Sequence, residues 1–156
     1  MGNPVLGDDG IGIRIVQDLK EHFTDSSALE FEISSQAGLY LLDQFIGFDQ
    51  VIIVDAIIKD QKPLGEILFL KPEPLQEIPR GASPHFIGLG SLVALGNHYQ
   101  MSMPEQLSIV GIVIHEKHEI REGLSPELQT IYPEVLREVE AQIDRILTNQ
   151  MVSLPV

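Results

Sequence analysis

Two apolar runs, Val51-Ile52-Ile53-Val54 and Leu107-Ser108-Ile109-Val110-Gly111-Ile112-Val113-Ile114, constrain the fold more than anything else in this chain. Near-continuous apolar stretches of this kind, the first of them wholly β-branched, are strands buried on both faces, and a strand buried on both faces needs helices above and below it. The rest of the chain supplies them. Ile11, Ile15, Val16, Leu19 and Phe23 recur at helical spacing up to the polar Thr24-Asp25-Ser26-Ser27. A second helical stretch runs from Leu39 to Ile46 and stops at Gly47, and a third from Ile87 to Tyr99. A long C-terminal helix opens at Ser125-Pro126, carries Val135, Val139, Ile143, Ile146 and Leu147 on its buried stripe, and breaks or restarts at Pro133. Leu29, Phe31 and Ile33 alternate with glutamates, as in a half-buried strand near a sheet edge, and Glu66 to Leu70 reads as another short strand. Lys71 to Ala82, rich in proline, reads as an irregular loop. Strands alternating with helices predict an α/β fold: a three-layer sandwich whose mostly parallel, twisted sheet is covered on both faces. Residues 1–150 form a single domain in this reading, and 151–156 a tail.

The chain has 156 residues, a formal charge of −13 and no cysteine. So acidic a surface excludes nucleic acid and anionic membranes as natural partners. Without cysteine there is no disulfide, thiolate metal site or cysteine nucleophile, and any metal must be held by carboxylate and imidazole. With no apolar run of membrane-spanning length and no signal core at the start, the expected location is the cytoplasm.

In open α/β sheets function gathers at the carboxyl ends of the strands, and three groups converge there in the sequence reading. The first is the loop Gly2-Asn3-Pro4-Val5-Leu6-Gly7-Asp8-Asp9-Gly10-Ile11-Gly12, which places adjacent carboxylates where a glycine-rich turn enters a helix. Such turns usually cradle phosphate. Two aspartates would repel it, so a cation, a metal or a proton-transfer task suits the loop better; the plain alternative is one Asp capping the helix and the other solvated. The second is Asp55, expected at the mouth of the sheet directly after Val51–Val54, either functional or capping the next turn. The third is His85 in Ser83-Pro84-His85, ahead of a helix whose dipole favours neutral imidazole, or else a surface turn histidine. His115-Glu116-Lys117-His118 is one residue short of the zinc protease signature and reads as a polar loop that could line the site. His22 and His98 read as helix-end residues.

Taken in order, Asn3 through Gly12, Val54-Asp55-Ala56, Ser83-Pro84-His85 with Gly88-Leu89, Gly111-Ile112 and Gly123-Leu124-Ser125-Pro126 resemble the hydrogenase maturation endopeptidases over nearly the whole chain. The resemblance implies a phosphorylase/hydrolase-like sandwich and an endopeptidase that removes the C-terminal extension of a nickel-loaded [NiFe]-hydrogenase large-subunit precursor. It further implies that Asp9, Asp55 and His85 are the metal-recognising and catalytic residues. Nickel would arrive with the substrate and not as a permanent cofactor; two carboxylates and an imidazole suit such a borderline cation. On this assignment Asp9 is the ligand and Asp8 the cap. Metal-gated hydrolysis is the favoured mechanism, with direct activation of water by the paired carboxylates as the other route.

Three departures accompany the match. The family has an apolar strand ahead of Gly-Asn, whereas this sequence begins Met1-Gly2-Asn3, so the expected sheet lacks its first strand and a neighbouring edge stands unsupported. The second loop acid is Asp where some members have Glu. Ser34 to Gly38 differs from the family's usual turn, in a region expected to help select the hydrogenase. Two rivals stand beside this reading. A nucleotide-binding domain lacks its Gly-x-Gly-x-x-Gly after a strand, and a non-catalytic chaperone for the metallated precursor would bind it without releasing a peptide.

Overall fold

The computed structural model describes residues 1–23, 29–70, 88–115 and 120–151. After a 3-10 turn at Gly7–Gly10, the elements run α1 (Ile11–His22), a 3-10 turn (Gly38–Leu41) continuing into α2 (Leu42–Phe45), β1 (Gln50–Ile58), β2 (Ile67–Leu70), α3 (Leu89–His98), β3 (Gln106–Ile114) and α4 (Pro126–Met151). The strands lie in the order β1-β3-β2, β1 parallel to β3 and β2 antiparallel to it.

Both apolar runs form the centre of this sheet, paired residue for residue from Gln50 opposite Gln106 to Ile58 opposite Ile114. Strand side chains alternate between faces, and the core divides accordingly. Val54, Ala56, Val110, Ile112 and Ile114 pack with Ile11, Ile15 and Leu19 of α1 and Leu128, Val135 and Val139 of α4. Ile53, Ile57 and Ile109 pack with Leu41, Phe45, Leu89 and Leu92. The molecule is therefore the expected three-layer α/β sandwich, α1 and α4 covering one face and α2 and α3 the other, but the sheet of described strands is mixed and not mostly parallel, because β2 runs antiparallel to β3.

Three local expectations are corrected. β1 does not stop at Asp55. It continues through Ile58 because Ala56, Ile57 and Ile58 find partners in Ile112, Val113 and Ile114, which places Asp55 inside the strand. Pro133 neither breaks nor restarts the last helix, which runs unbroken from Pro126 to Met151. Leu29 to Ile33 form no ladder among the described residues, although Phe31 packs on Phe23 with ring centroids 6.2 Å apart. A strand is defined by its neighbour, and a groove separates this segment from β1. Met1, Val16, Glu30, Glu32, Ser34, Leu41 and Phe45 line the groove together with Gln50 to Val54. The ammonium of Met1 sits at its end and donates to the Val54 carbonyl. β1 is thus paired on one edge only among the described residues. The proline-rich loop, His85 and the tail from 152 lie outside the described residues.

Candidate functional site

The acidic loop is built by its own backbone. Asn3 starts it: its side-chain Oδ1 accepts the Val5 N–H at 3.2 Å and its carbonyl accepts the Leu6 N–H at 3.1 Å, an Asx-type turn that folds Pro4 to Leu6 back on itself. The Asp9 N–H then bonds the Leu6 carbonyl at 3.3 Å, and Asp9 Oδ2 accepts the Asn3 N–H at 2.9 Å, which orients that carboxylate. Gly2 is required here, since a Cβ on it would stand 2.1 Å from the Asp9 carbonyl oxygen.

The loop reaches the sheet because α1 comes very close to β1. A Cβ at Gly12 would lie 2.4 Å from the Met1 carbonyl oxygen, 2.5 Å from that of Val54 and 3.0 Å from Asp55 Cα. Glycine at position 12 is what brings the start of the helix against the strand at Asp55.

Asp55 is fully buried, opposite Gly111 in β3, with Oδ1 accepting the Ala56 N–H at 2.9 Å. By strand alternation it shares the face of Ile53 and Ile57, the one on which Leu89 packs. The sequence placed it at the mouth of the sheet, paired or solvated; it is instead enclosed within the strand. The structure brings Asp9 and Asp55 to the same place. Both act on the Met1 amine, whose pKa burial lowers from its ordinary 8.0 while Asp55 first, and then Asp9, pull it back up. The two carboxylates thus offset part, though not all, of what burial costs a positive charge at this position.

Asp8 does not cap the helix that follows it. Neither the 3-10 turn nor α1 has a side-chain cap bond; Asp8 Oδ1 instead accepts the N–H of Ser125, 117 residues away, at 2.5 Å. His85 lies outside the described residues, four positions before Leu89. Among the described residues no three His, Asp or Glu side chains form a metal-holding cluster; of the three candidate residues, Asp9 and Asp55 are the two that are described. His115, at the end of β3, is tied to the Lys62 carbonyl at 2.9 Å, and the rest of its motif lies outside the described residues. His22 pairs with Glu140 of α4 at 3.5 Å, and His98 ends α3 edge-on to Tyr99.

Sequence reasoning missed Asn3 as the donor that orients Asp9, Gly12 as the contact that joins loop to strand, and Ser125 as the partner of Asp8. The Gly10-Ile11-Gly12 spacing carried the signal for the second. The others depend on contacts that spacing does not encode.

Comparison with known proteins settles what this scaffold is. Residues 13–142 match the family described as HycI: Hydrogenase maturation protease, a stretch that includes Asp55 and begins just after the acidic loop. The chain belongs to the hydrogenase maturation protease family. The Hydrogenase 2 maturation protease of Escherichia coli strain K12 is 31% identical over 147 residues, covering 92% of this chain and 87% of that protein. The hydrogenase expression/formation protein HupD of Thiocapsa roseopersicina is 27% identical over 134 residues, 83% of this chain and 58% of its own length. The solved structure of the hydrogenase maturating endopeptidase HybD from E. coli superposes with a TM-score of 0.72 at 28% identity, covering 92% of this chain and 88% of that one. As a hydrogenase maturation protease the chain is an endopeptidase, and its three-layer sandwich is the family's fold. No helix of this maturation protease, among the described residues, is long and apolar enough to cross a membrane.

Proposed function

We propose that this maturation protease removes the C-terminal extension of a [NiFe]-hydrogenase large-subunit precursor once nickel has been inserted, reading the metal as part of its substrate. Asp9, Asp55 and His85 grip that nickel and so place the scissile bond. The observation that carries the reading is the convergence of Asp9 and Asp55 on one buried position, the amine of Met1, from elements far apart in the chain. Carboxylate and imidazole donors suit a borderline divalent cation and leave coordination positions to the groups the precursor supplies. A metal delivered in this way marks a finished precursor and can polarise the carbonyl to be attacked. Holding it to two fixed carboxylates converts substrate recognition into alignment of the bond to be cut.

Nickel-loaded and nickel-free precursor, each mixed with the protease, test this directly by mass spectrometry of the released peptide. Peptide should appear from the loaded precursor alone; equal release from both would overturn metal gating. Asp9→Ala and His85→Ala should each abolish release while circular dichroism and melting temperature stay close to those of the parent.

A further inference from the structure

Asp8 has no part in the chemistry just proposed, yet its surroundings are unusual for a loop carboxylate. It is only 6% exposed. Oδ1 takes the Ser125 N–H at 2.5 Å, while Oδ2 is buried and accepts no hydrogen bond from a described residue. An orphaned buried acceptor is costly, so stability alone would favour an apolar side chain at position 8. Ser125 stands at the head of α4 and caps it, its Oγ accepting the Leu128 N–H at 3.2 Å. The backbone ties alongside run from the Gly7 N–H to the Arg121 carbonyl at 2.7 Å and from the Arg121 N–H to the Val5 carbonyl at 3.1 Å. These hold the loop before Asp8; the Asp8 side chain holds it next to Asp9.

We infer that Asp8 is a positioning residue: its carboxylate straps the acidic loop to the start of α4 and thereby fixes the direction in which Asp9 is presented. Asp9 is the next residue, and its own carboxylate is set by the Asn3 N–H across the same turn. Rotation of the turn at position 8 carries both Asp9 and that hydrogen bond with it. The two aspartates thus divide the work, one anchored inward to a helix and one turned to the site. The meaning given to Asp9 rests on the proposed function; the strap itself rests on the geometry.

The test compares Asp8→Ala, Asp8→Asn and Ser125→Gly with the parent by two readouts, the amide resonance of Asn3 in a nitrogen-15 correlation spectrum and kcat and KM on nickel-loaded precursor. Asp8→Ala should shift the Asn3 amide proton upfield as its bond to Asp9 loosens, and lower kcat/KM by about tenfold or more, the scale of a small misplacement near the reacting bond. Asp8→Asn keeps an oxygen for the Ser125 N–H and should restore both readouts towards the parent values. Ser125→Gly loses the cap but keeps the N–H, so its melting temperature should fall while the Asn3 resonance and kcat/KM hold. If Asp8→Ala loses only melting temperature, the role is structural and the inference is overturned. If Asp8→Asn is as impaired as Asp8→Ala, the charge itself acts and the inference fails equally. Should Asp8→Ala not fold, Asp8→Val, which fills the space without an acceptor, takes its place: a shifted Asn3 resonance with lowered kcat/KM supports the strap, and parent-like values of both overturn it. A parent that releases no peptide would sink the proposed function, while the Asn3 resonance would still judge the strap.

Discussion

Gly12 is the residue on which the candidate site turns, because no other side chain fits between α1 and β1. Even the methyl group of Gly12→Ala would have to displace the backbone carbonyls of Met1 and Val54, and backbone cannot rotate aside as a side chain can. Overpacking of this kind costs about 1–3 kcal/mol. We expect Gly12→Ala to lower the melting temperature by a corresponding amount and to lose peptide release with it, since the separation of Asp9 from Asp55 changes. Tyr132 provides a residue-scale test of another kind. Its hydroxyl donates to Asp18 Oδ2 at 2.5 Å and Arg14 lies 4.3 Å over its ring, joining α1 to α4. Burial first, and then the bond to Asp18, raise the phenol above its ordinary 10.0. Below pH 10 the phenol is protonated in both folded and unfolded chains, and its contribution is whole. Above that the unfolded chain ionises first, so the contribution declines as pH rises towards the folded pKa. Tyr132→Phe should therefore melt below the parent at neutral pH, by about 1 kcal/mol. That difference should narrow as the pH climbs beyond 10, and a gap that stayed constant would show that the Asp18 bond is not its source.

At the scale of elements, what could be read in advance follows from whether a segment carries its own partner information. α1, α3 and β3 were readable because a 3.6-residue stripe or an uninterrupted apolar run reports burial by itself. The end of β1 was not, since a carboxylate looks like a strand terminus until one sees Ala56 to Ile58 paired with the far end of β3. Asp9 and Asp55 could be named from their motifs, while the strap from Asp8 to Ser125 could not, because nothing local distinguishes a distant cap from a near one. Leu29 to Ile33 has a strand's alternation and lacks a strand's neighbour, which no pattern within five residues can reveal. Pro133 is the reverse case: α4 absorbs a residue with no N–H to offer the Gln129 carbonyl, four positions earlier, and continues. Packing of the α4 stripe against the sheet outweighs that loss. Pro133→Ala restores the bond but frees the unfolded chain, so the net gain should be roughly 1–2 kcal/mol, seen as a higher melting temperature with peptide release unchanged.

For the whole molecule, the sheet has two unlike sides. The Val54 carbonyl faces the groove, where it takes the Met1 ammonium, and backbone groups of one residue point to the same side of a strand. Ile52 therefore also faces the groove, while Ile53 faces β3. Hydrogen exchange followed by nuclear magnetic resonance should find the Ile52 amide exchanging much faster than that of Ile53, although the two are adjacent. Equal protection would mean that the groove-side edge is covered in solution.

The same groove bears on how the protein behaves in company with copies of itself. Among the described residues β1 has one unpaired edge, and such an edge is a template for further strands; the formal charge of −13 that each copy carries opposes their meeting there. That protection reaches only as far as the ionic atmosphere allows, about 10 Å at 0.1 M salt and less above it. Concentrated salt, which ordinarily favours compact proteins, should here promote self-association, so this maturation protease should keep best in dilute buffer.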